Sequence, residues 1–590
     1  MSGKTEAASS LDATLLITKA LNHLQRQYVP SYLGLRVLAE STSKELRNDW
    51  TVGYIDRRSF TRRRQAYWKY SGLKGQDEKG KLEYRHFVVG SPTTLLAECR
   101  LISMLSQWPQ FARHPAVYSY LWPFYGKGGH LFAHFFYGYR MRERDVAEVV
   151  KQSPDHTCII LDLKNFYPSV DKERVQRRFR DRVSKAEATN NQKDTANFLV
   201  EQLLAFPENG LPVGPPLSHV LANVALENVD REMAKLYPSR YFRYVDDVVI
   251  VVEASKVETA LRQFRALVAA EGLAVNESKT DIVAANQWNA HVARREKSVT
   301  TDTFGSLIRR LQVYCASSPE NWAATRDLFK SEGFSLPFSR LQSVAAYGRF
   351  RRFLKILFHR SKWGQKLTYI FESPESLLKL ATEIRDKFLE NGKRVAAEDT
   401  PKTGMVRRWR MSEVRFTFTR LMYLLPFSEY GQLLELLPQA AECGELRVIL
   451  TALRTGDASE LLVRPGASVD TFAQLWKEHG VGTPSVRWSE KPDYFERDSA
   501  VALATYGVLS VPTQWIARVP RLSNRQLLQL ANGYELEPFV ADTPDYLREL
   551  HALRSGWTSD ELERLLRERF NNDEEVPLFG LEIGGGGYFT

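Results

Sequence analysis

Two adjacent aspartates between two apolar runs constrain this chain more than any other feature. Residues 243–251 read Arg-Tyr-Val-Asp-Asp-Val-Val-Ile-Val, so that Asp246 and Asp247 follow one apolar segment and precede another. The β-branched and aromatic residues on both sides predict a strand, a tight turn and a second strand, with both carboxylates at the turn. Because Asp favours turns, this pattern by itself also fits an ordinary structural hairpin.

A further acid ends another short apolar segment earlier in the chain. Residues 157–161 read Thr-Cys-Ile-Ile-Leu and predict a buried strand that ends on Asp162. Two Mg²⁺ ions about 4 Å apart need bridging carboxylates from separate elements. Asp162 and Asp246 can supply them if their strands are neighbours, and Asp247 would then be an auxiliary ligand. The sequence therefore predicts a two-metal site for Mg²⁺, or for Mn²⁺.

Two other segments lie between and after these acids. Residues 209–223 contain a Gly-Pro loop and then a helix from about Ser218, and such a loop lets backbone approach a base pair closely. An ordinary helix entry gives the same pattern. Residues 272–280 predict a turn between a helix and a strand. Lys279 in this turn could protonate a leaving pyrophosphate, whereas a lone turn lysine is usually just solvated.

In order and spacing, these four segments resemble the palm motifs of reverse transcriptases, and the resemblance covers roughly residues 50–290. It implies an enzyme that makes DNA from dNTPs. The catalytic positions that it implies are Asp162, Asp246, Asp247 and Lys279. The metal-binding positions are Asp162, Leu163, Asp246 and Asp247.

The resemblance also implies a set of substrate-binding residues. Tyr167, five residues after Asp162, matches the steric gate, whose ring would clash with a ribose 2′ hydroxyl. Residues 79–85 resemble the fingers segment that grips the triphosphate, where a charged fork suits phosphate recognition. A plain basic hairpin is the alternative for that segment. The remaining predicted substrate-binding residues are Phe166, Lys79, Lys81, Arg85, Arg100, Gly214, Ser218 and Asn223.

Positive charge is concentrated in the first half of the chain. The net charge is +11, and residues 1–300 carry 43 basic against 33 acidic side chains. Residues 57–69 mix cations, which contact phosphates, with aromatics, which can stack on bases. A solvated basic face is the alternative. The predicted nucleic-acid-binding residues are Arg57, Arg58, Arg62, Arg63, Arg64, Tyr67, Trp68 and Lys69.

The second half of the chain reads as helix after helix from about residue 305, compatible with a HEAT-like array. We therefore predict an α+β fold, with right-hand polymerase fingers and palm followed by an all-α helical-repeat C-terminal domain. Residues 1–140 would form N-terminal helices and fingers, 141–300 the palm, and 301–590 a helical domain that replaces the thumb and ends in a Gly-rich tail. Residues 464–497 are polar, with Gly and Pro, and predict a loop.

Two stretches narrow the resemblance further. Residues 166–170 (Phe-Tyr-Pro-Ser-Val) and 211–215 (Leu-Pro-Val-Gly-Pro), followed by a helical second half, are similar to the bacterial abortive-infection and defence-associated (unknown-group) reverse transcriptases. This implies RNA-directed or template-independent DNA synthesis in phage defence. The implied partners are a non-coding RNA template, the DNA product, further copies in a homo-oligomer, and a partner reverse transcriptase or effector. Some such enzymes prime from a protein tyrosine, for which Tyr588 on the Gly-rich tail is the candidate.

Two alternatives stay open. One is a retron-like or group II intron-derived reverse transcriptase with a cognate RNA. The other is a catalytically silent nucleic-acid-binding scaffold, against which the intact Asp162, Asp246 and Asp247 argue. Arg352 and His359 resemble the Arg-x6-His signature of HEPN ribonucleases, a spacing that helices also produce by chance.

Composition excludes several other classes. The four cysteines are scattered without a Cys-x-x-Cys pair, which argues against zinc and disulfide frameworks and favours a reducing cytoplasm. The resemblance implies that this cytoplasm is bacterial. The N-terminus shows no signal-peptide pattern, and no apolar run reaches the roughly 18 residues of a membrane span.

Overall fold

The structure is a computed structural model. The residues it describes are 13–24, 28–41, 66–76, 80–123, 130–133, 135–207, 209–297, 299–317, 319–338, 369–401 and 403–567.

The N-terminal elements are helical except for one hairpin. They are α1 (Ala13–Leu24), α2 (Val29–Ser41), β1 (Tyr67–Gln76), β2 (Leu82–Gly90), α3 (Pro92–Leu105) and α4 (Phe135–Gln152). Strands β1 and β2 pair antiparallel, with a register shift between Leu73 and Gly75. The apolar stretch at the end of β2, Val88 and Val89, is buried, as its composition predicts.

Helices and strands are mixed in the next part of the chain. The elements are β3 (His156–Asp162), α5 (Phe166–Ser169), α6 (Lys172–Ser184), α7 (Asn190–Ala205), α8 (Pro216–Ala225), α9 (Glu227–Leu236), β4 (Tyr241–Tyr244), β5 (Asp247–Glu253), α10 (Val257–Ala270) and β6 (Asp281–Ala284). The predicted strand before Asp162 and the predicted hairpin around Asp246 are confirmed.

These strands form one four-stranded sheet in the order β4–β5–β3–β6, and every neighbouring pair is antiparallel. The long apolar runs of β3 and β5 are buried because they occupy the two central positions. In this register Asp162, the last residue of β3, lies opposite Asp247, the first residue of β5. The sheet thus brings the two predicted acidic segments together at one end of its central strands.

After β6 every regular element in the described ranges is helical. The elements are α11 (Ala285–Lys297), α12 (Val299–Ser317), α13 (Pro319–Ser331), α14 (Pro374–Ala397), α15 (Gly404–Leu424), α16 (Tyr430–Leu436), α17 (Gly444–Thr455), α18 (Ala467–His479), α19 (Tyr494–Thr505), α20 (Thr513–Arg518), α21 (Leu522–Asn532), α22 (Asp545–Arg554) and α23 (Ser559–Arg567). The predicted change to an all-helical second half is confirmed for this part. The loop predicted for residues 464–497 is wrong over α18, which buries Val469, Phe472 and Leu475 on one face.

The C-terminal helices pack on the N-terminal hairpin. Trp68 of β1 stacks on Tyr546 of α22 with 5.4 Å between ring centroids. The Ser71 amide donates to the carboxylate of Asp498 at 2.7 Å. None of the described helices is long and apolar enough to cross a membrane.

Candidate active site

The turn between β4 and β5 is held by a buried network. Val245 has φ +56°, a left-handed conformation that is strained for a β-branched residue. Arg243 donates from Nη1 to the Val245 carbonyl at 2.7 Å and forms an ion pair with Asp230 at 2.7 Å. Tyr241 donates its hydroxyl to the same Asp230 carboxylate at 2.9 Å. This network fixes the backbone that presents Asp246.

Asp162 receives two side-chain hydrogen bonds from the segment before β6. Lys279 donates from Nζ to Asp162 Oδ1 at 3.2 Å, and Asn276 donates from Nδ2 to Oδ2 at 3.0 Å. The Asn276 amide also donates to the Asp162 carbonyl at 2.7 Å. The structure therefore brings Lys279 to the aspartates, although 117 residues separate it from Asp162.

The electrostatics of Asp247 follow from its surroundings. Burial and the charge of Asp162 raise the pKa of its carboxyl, Arg142, Lys279 and Arg408 oppose the rise, and the resulting pKa is about 6. Arg142 of α4 also donates to the Asp247 carbonyl at 3.4 Å. Asp162 and Asp246 are almost completely buried, at 3% and 1% exposure.

Arg85 on β2 reaches this site from the hairpin. Its guanidinium is partly buried, and burial lowers its pKa while the charges of Asp246 and Asp162 raise it. The hairpin is joined to the Gly-Pro loop, since the Val88 amide donates to the Val213 carbonyl at 2.7 Å. Arg85 is therefore close enough to Asp246 and Asp162 for their charges to act on its guanidinium.

The carboxylates fit a divalent cation in their chemistry, because hard oxygen ligands suit Mg²⁺ and burial disfavours their uncompensated charge. Asp162, Asp246 and Asp247 come from two adjoining strand ends. Lys279 supplies positive charge at Asp162 in this arrangement. Within the described ranges, no group of three or more His, Cys, Asp or Glu side chains forms a ready metal cluster. Leu163 lies beside these acids, and its amide is 3.3 Å from the Asp246 carbonyl.

The other predicted substrate-binding residues lie in different surroundings. The Tyr167 hydroxyl lies 2.9 Å from His219 Nδ1. Ser218 is buried in α8, and its hydroxyl makes no hydrogen bond within the described part of the chain. Asn223 Oδ1 accepts from Arg243 Nη2 at 3.3 Å, so Asn223 supports the turn. Lys81 is exposed and Arg100 is partly buried on α3.

Two further predicted residues, Phe166 and Gly214, are buried. Phe166 is 1% exposed and packs in the core, and its contact with a substrate stays a prediction. A Cβ on Gly214, whose φ is +121°, would meet the Val88 carbonyl at 2.3 Å, so this loop packs closely on β2, and its approach to a base pair stays a prediction.

The predicted nucleic-acid-binding stretch is corrected in part. Tyr67 and Trp68 are buried, at 5% and 6% exposure, because Tyr67 donates to Glu98 and Trp68 packs on α22. Base stacking by these two rings is therefore wrong, whereas Lys69 is exposed. The predicted residues outside the described ranges are Arg57, Arg58, Arg62, Arg63, Arg64, Lys79, Arg352, His359 and Tyr588.

Sequence reasoning missed the residues that hold the site together. Asp230, Asn276, Arg142, Tyr120 and His219 were not predicted as functional. The Arg243–Asp230 pair crosses from a strand to a helix, and nothing in the local pattern marks Asp230, one of three acids in α9, as its partner. His219 follows Ser218 directly in a segment that the sequence does single out, so its position was the available signal.

Comparison with known families agrees with this geometry. Residues 115–306, about a third of the chain, match the family reverse transcriptase (RNA-dependent DNA polymerase). The chain carries a reverse transcriptase domain. This reverse transcriptase domain identifies the chain as an enzyme, an RNA-directed DNA polymerase and nucleotidyltransferase. It spans the four-stranded sheet and the segments around Asp162, Asp246 and Lys279. The comparison with curated proteins gives no match.

Proposed function

We propose that this reverse transcriptase uses Mg²⁺ and dNTPs to make DNA, with Asp162, Asp246 and Asp247 as its catalytic carboxylates, and that it acts in phage defence. The observation that carries the catalytic part is the register of the sheet, which sets Asp162 opposite Asp247 and beside Asp246. Two bound metal ions would activate a 3′ hydroxyl and stabilise the departing pyrophosphate. Leu163 and the three aspartates would hold them.

The cations around the carboxylates support a role in triphosphate binding. Lys279, in the turn before β6, pairs with Asp162 at 3.2 Å, and Arg85, on the hairpin, lies within electrostatic range of Asp162 and Asp246. A guanidinium presents a rigid fork of donors that suits phosphate oxygens. Arg85 would bind the triphosphate, and Lys279, already within hydrogen-bonding distance of Asp162, would be the proton donor to the pyrophosphate.

The proposed role in defence rests on the combination of segments in this chain. The Phe-Tyr-Pro-Ser-Val segment folds into α5 beside the site, and an all-helical part follows the sheet. That arrangement is similar to the abortive-infection and defence-associated reverse transcriptases. RNA-directed or template-independent synthesis, with a non-coding RNA or the DNA product as nucleic-acid partner, follows from the same likeness, as does assembly with a second copy or another effector. A bacterial cytoplasmic location is part of this proposal.

The defence role is tested by phage plating on bacteria that produce the chain. Wild type is expected to lower plaque numbers, and Asp246→Asn is expected to restore them, because the amide cannot serve as an anionic metal ligand. Asp181→Asn is the matched control, since Asp181 is exposed on α6 and pairs with Lys185 away from the site. Equal protection by wild type and Asp246→Asn would rule out DNA synthesis as the basis of defence. Equal plating with and without wild-type chain, over a broad phage panel, would count against the defence role itself.

A further inference from the structure

The hydroxyl of Tyr167 is held by two aromatic neighbours. Tyr167 lies on the short helix α5 and is 4% exposed. Its hydroxyl is 2.9 Å from His219 Nδ1 and 3.3 Å from the Tyr120 hydroxyl. We call Tyr167, His219 and Tyr120 the gate cluster. A tyrosine side chain that is fixed by its helix at the backbone and by hydrogen bonds at its hydroxyl can no longer rotate freely about χ1.

His219 is the centre of the gate cluster. Its imidazole stacks on the Tyr120 ring, with 4.0 Å between centroids and 9° between planes. It meets the Tyr167 ring edge to face at 6.1 Å and the Phe132 ring at 6.2 Å. Burial, together with the neighbouring His23, lowers the pKa of His219 well below its usual value. The ring is therefore neutral and can form one donor and one acceptor hydrogen bond.

Tyr120 is held in place at a strained backbone position. Its φ is +49°, which is an outlier for a bulky residue. The preceding Tyr118 amide donates to the Arg243 carbonyl at 2.8 Å, which ties this segment to β4. A Cβ on Gly138 of α4 would meet the Tyr118 carbonyl at 2.0 Å, so the helix presses closely on the same segment. Strain of this kind persists where the surrounding structure fixes the conformation, and it is frequent at functional sites.

We propose that His219 and Tyr120 are positioning residues that fix the Tyr167 ring and thereby set the preference for deoxynucleotides over ribonucleotides. The inference rests on the proposed function and on the steric-gate role that the resemblance implies for Tyr167, in which its ring would face the sugar of the incoming nucleotide. A steric gate rejects a 2′ hydroxyl only while its ring cannot retreat. The two hydrogen bonds to the Tyr167 hydroxyl and the stacked pair behind it hold the ring against that retreat.

The experiment measures incorporation of a dNTP and of the matching rNTP by the purified full-length chain, as the ratio of the two kcat/KM values. His219→Phe keeps the stacked ring and removes both nitrogens. His219→Asn keeps a hydrogen-bonding group near the position of Nδ1. Tyr120→Phe removes only one hydroxyl and is the mildest change. Tyr167→Ala sets the value for a missing gate, and His551→Phe on α22 is the control for a histidine far from the gate cluster in sequence and on another element.

His219→Phe is expected to lower the dNTP to rNTP ratio about tenfold, in the range of one lost hydrogen bond. The change should come from faster rNTP use. Tyr120→Phe is expected to lower the ratio less, while His219→Asn and His551→Phe should keep most of it.

An unchanged ratio in both His219→Phe and Tyr120→Phe would overturn the inference. So would an equal fall in dNTP and rNTP use, which would mean that the cluster only supports folding. If wild type prefers dNTP over rNTP and Tyr167→Ala shows the same preference, Tyr167 is not the gate and the inference fails. If wild type incorporates no dNTP under any condition, the proposed function fails, and that result is distinguishable from the others.

Discussion

At the scale of the residue, the position of the aspartates depends on side chains that have no catalytic role of their own. Arg243 is 1% exposed, and its fork reaches Asp230, Asn223 and the strained Val245 carbonyl together. A planar guanidinium can satisfy these acceptors at once, whereas an ammonium is a single point of charge. The position of Asp246 therefore depends on the shape of the Arg243 side chain as well as on its charge.

Arg243→Lys is expected to lower dNTP incorporation by about tenfold to a hundredfold, because a small misplacement of a catalytic group has that effect. The measurement is kcat at saturating dNTP, with the melting temperature recorded to separate misplacement from unfolding. Arg240→Lys is the matched control, since Arg240 contacts His156 and lies just before β4. If the two variants keep the same activity as wild type, the network does not position the turn.

The sequence is sufficient to predict the aspartates that stand where strands end. It is insufficient to predict the residues that hold the site in place through contacts. Asp162, Asp246 and Asp247 stand at points where an apolar run stops, which is a local signal. Lys279 follows a helix and precedes a strand, and it does reach Asp162. Tyr120 and Asp230 sit in ordinary surroundings, and their roles arise from contacts with distant residues that no local pattern encodes.

At the scale of the element, α15 connects the helical second half to the active site. The Met405 amide at its start donates to the Asp281 carboxylate of β6, and this acid caps the helix. Arg408, one turn later, donates from Nη2 to the Lys279 carbonyl at 3.0 Å. A helix from outside the reverse transcriptase domain thus buttresses the turn that holds Lys279 at Asp162.

Arg408→Ala is expected to lower kcat about fivefold with a smaller effect on KM, because one hydrogen bond that orients the lysine turn is lost. The measurement is steady-state dNTP incorporation. Arg407→Ala is the matched control, since Arg407 lies on the same helix and pairs instead with Glu442 at 2.7 Å. Equal effects of the two substitutions would show that α15 contributes only general stability.

Element type was predictable where composition changes sharply, and less so where an element is short. The apolar runs of β3 and β5 are long enough to identify them. Helix α18 is difficult to predict because Gly466 and Gly480 flank it and polar residues interrupt it. Its buried Val469, Phe472 and Trp476 nevertheless repeat at helical spacing, which favours a helix over a loop.

At the scale of the whole molecule, two of the contacts that the C-terminal part makes within the described residues reach elements that carry or adjoin site residues. One of these elements is β6, the edge strand of the four-stranded sheet, which α15 contacts. The other is the β1–β2 hairpin, where the Leu73 amide donates to the Pro465 carbonyl at 2.9 Å and the Tyr84 hydroxyl donates to the Val463 carbonyl at 2.9 Å. The hairpin that carries Arg85 and the turn that carries Lys279 are therefore both attached to the same run of helices.

Charge at this scale does not by itself mark the nucleic-acid surface. Arg174 and Arg178 of the basic helix α6 both pair with Glu271, at 3.0 and 2.9 Å. Much of that positive charge is thus neutralised by the protein. The buried Arg497–Asp498 pair likewise serves contacts within the chain, since Asp498 accepts from Ser71 of β1.

The central claim is that the carboxylates at the ends of the central strands of the four-stranded sheet catalyse DNA synthesis. The most direct test measures incorporation of labelled dNTP by the purified full-length chain in Mg²⁺, with and without a primed RNA template, for wild type and Asp246→Asn. We expect wild type to incorporate label and to lose this activity when the metal is chelated. Asp246→Asn should be slower by about a thousandfold, equivalent to about 4 kcal/mol of barrier. Comparable incorporation by Asp246→Asn and wild type would contradict the claim.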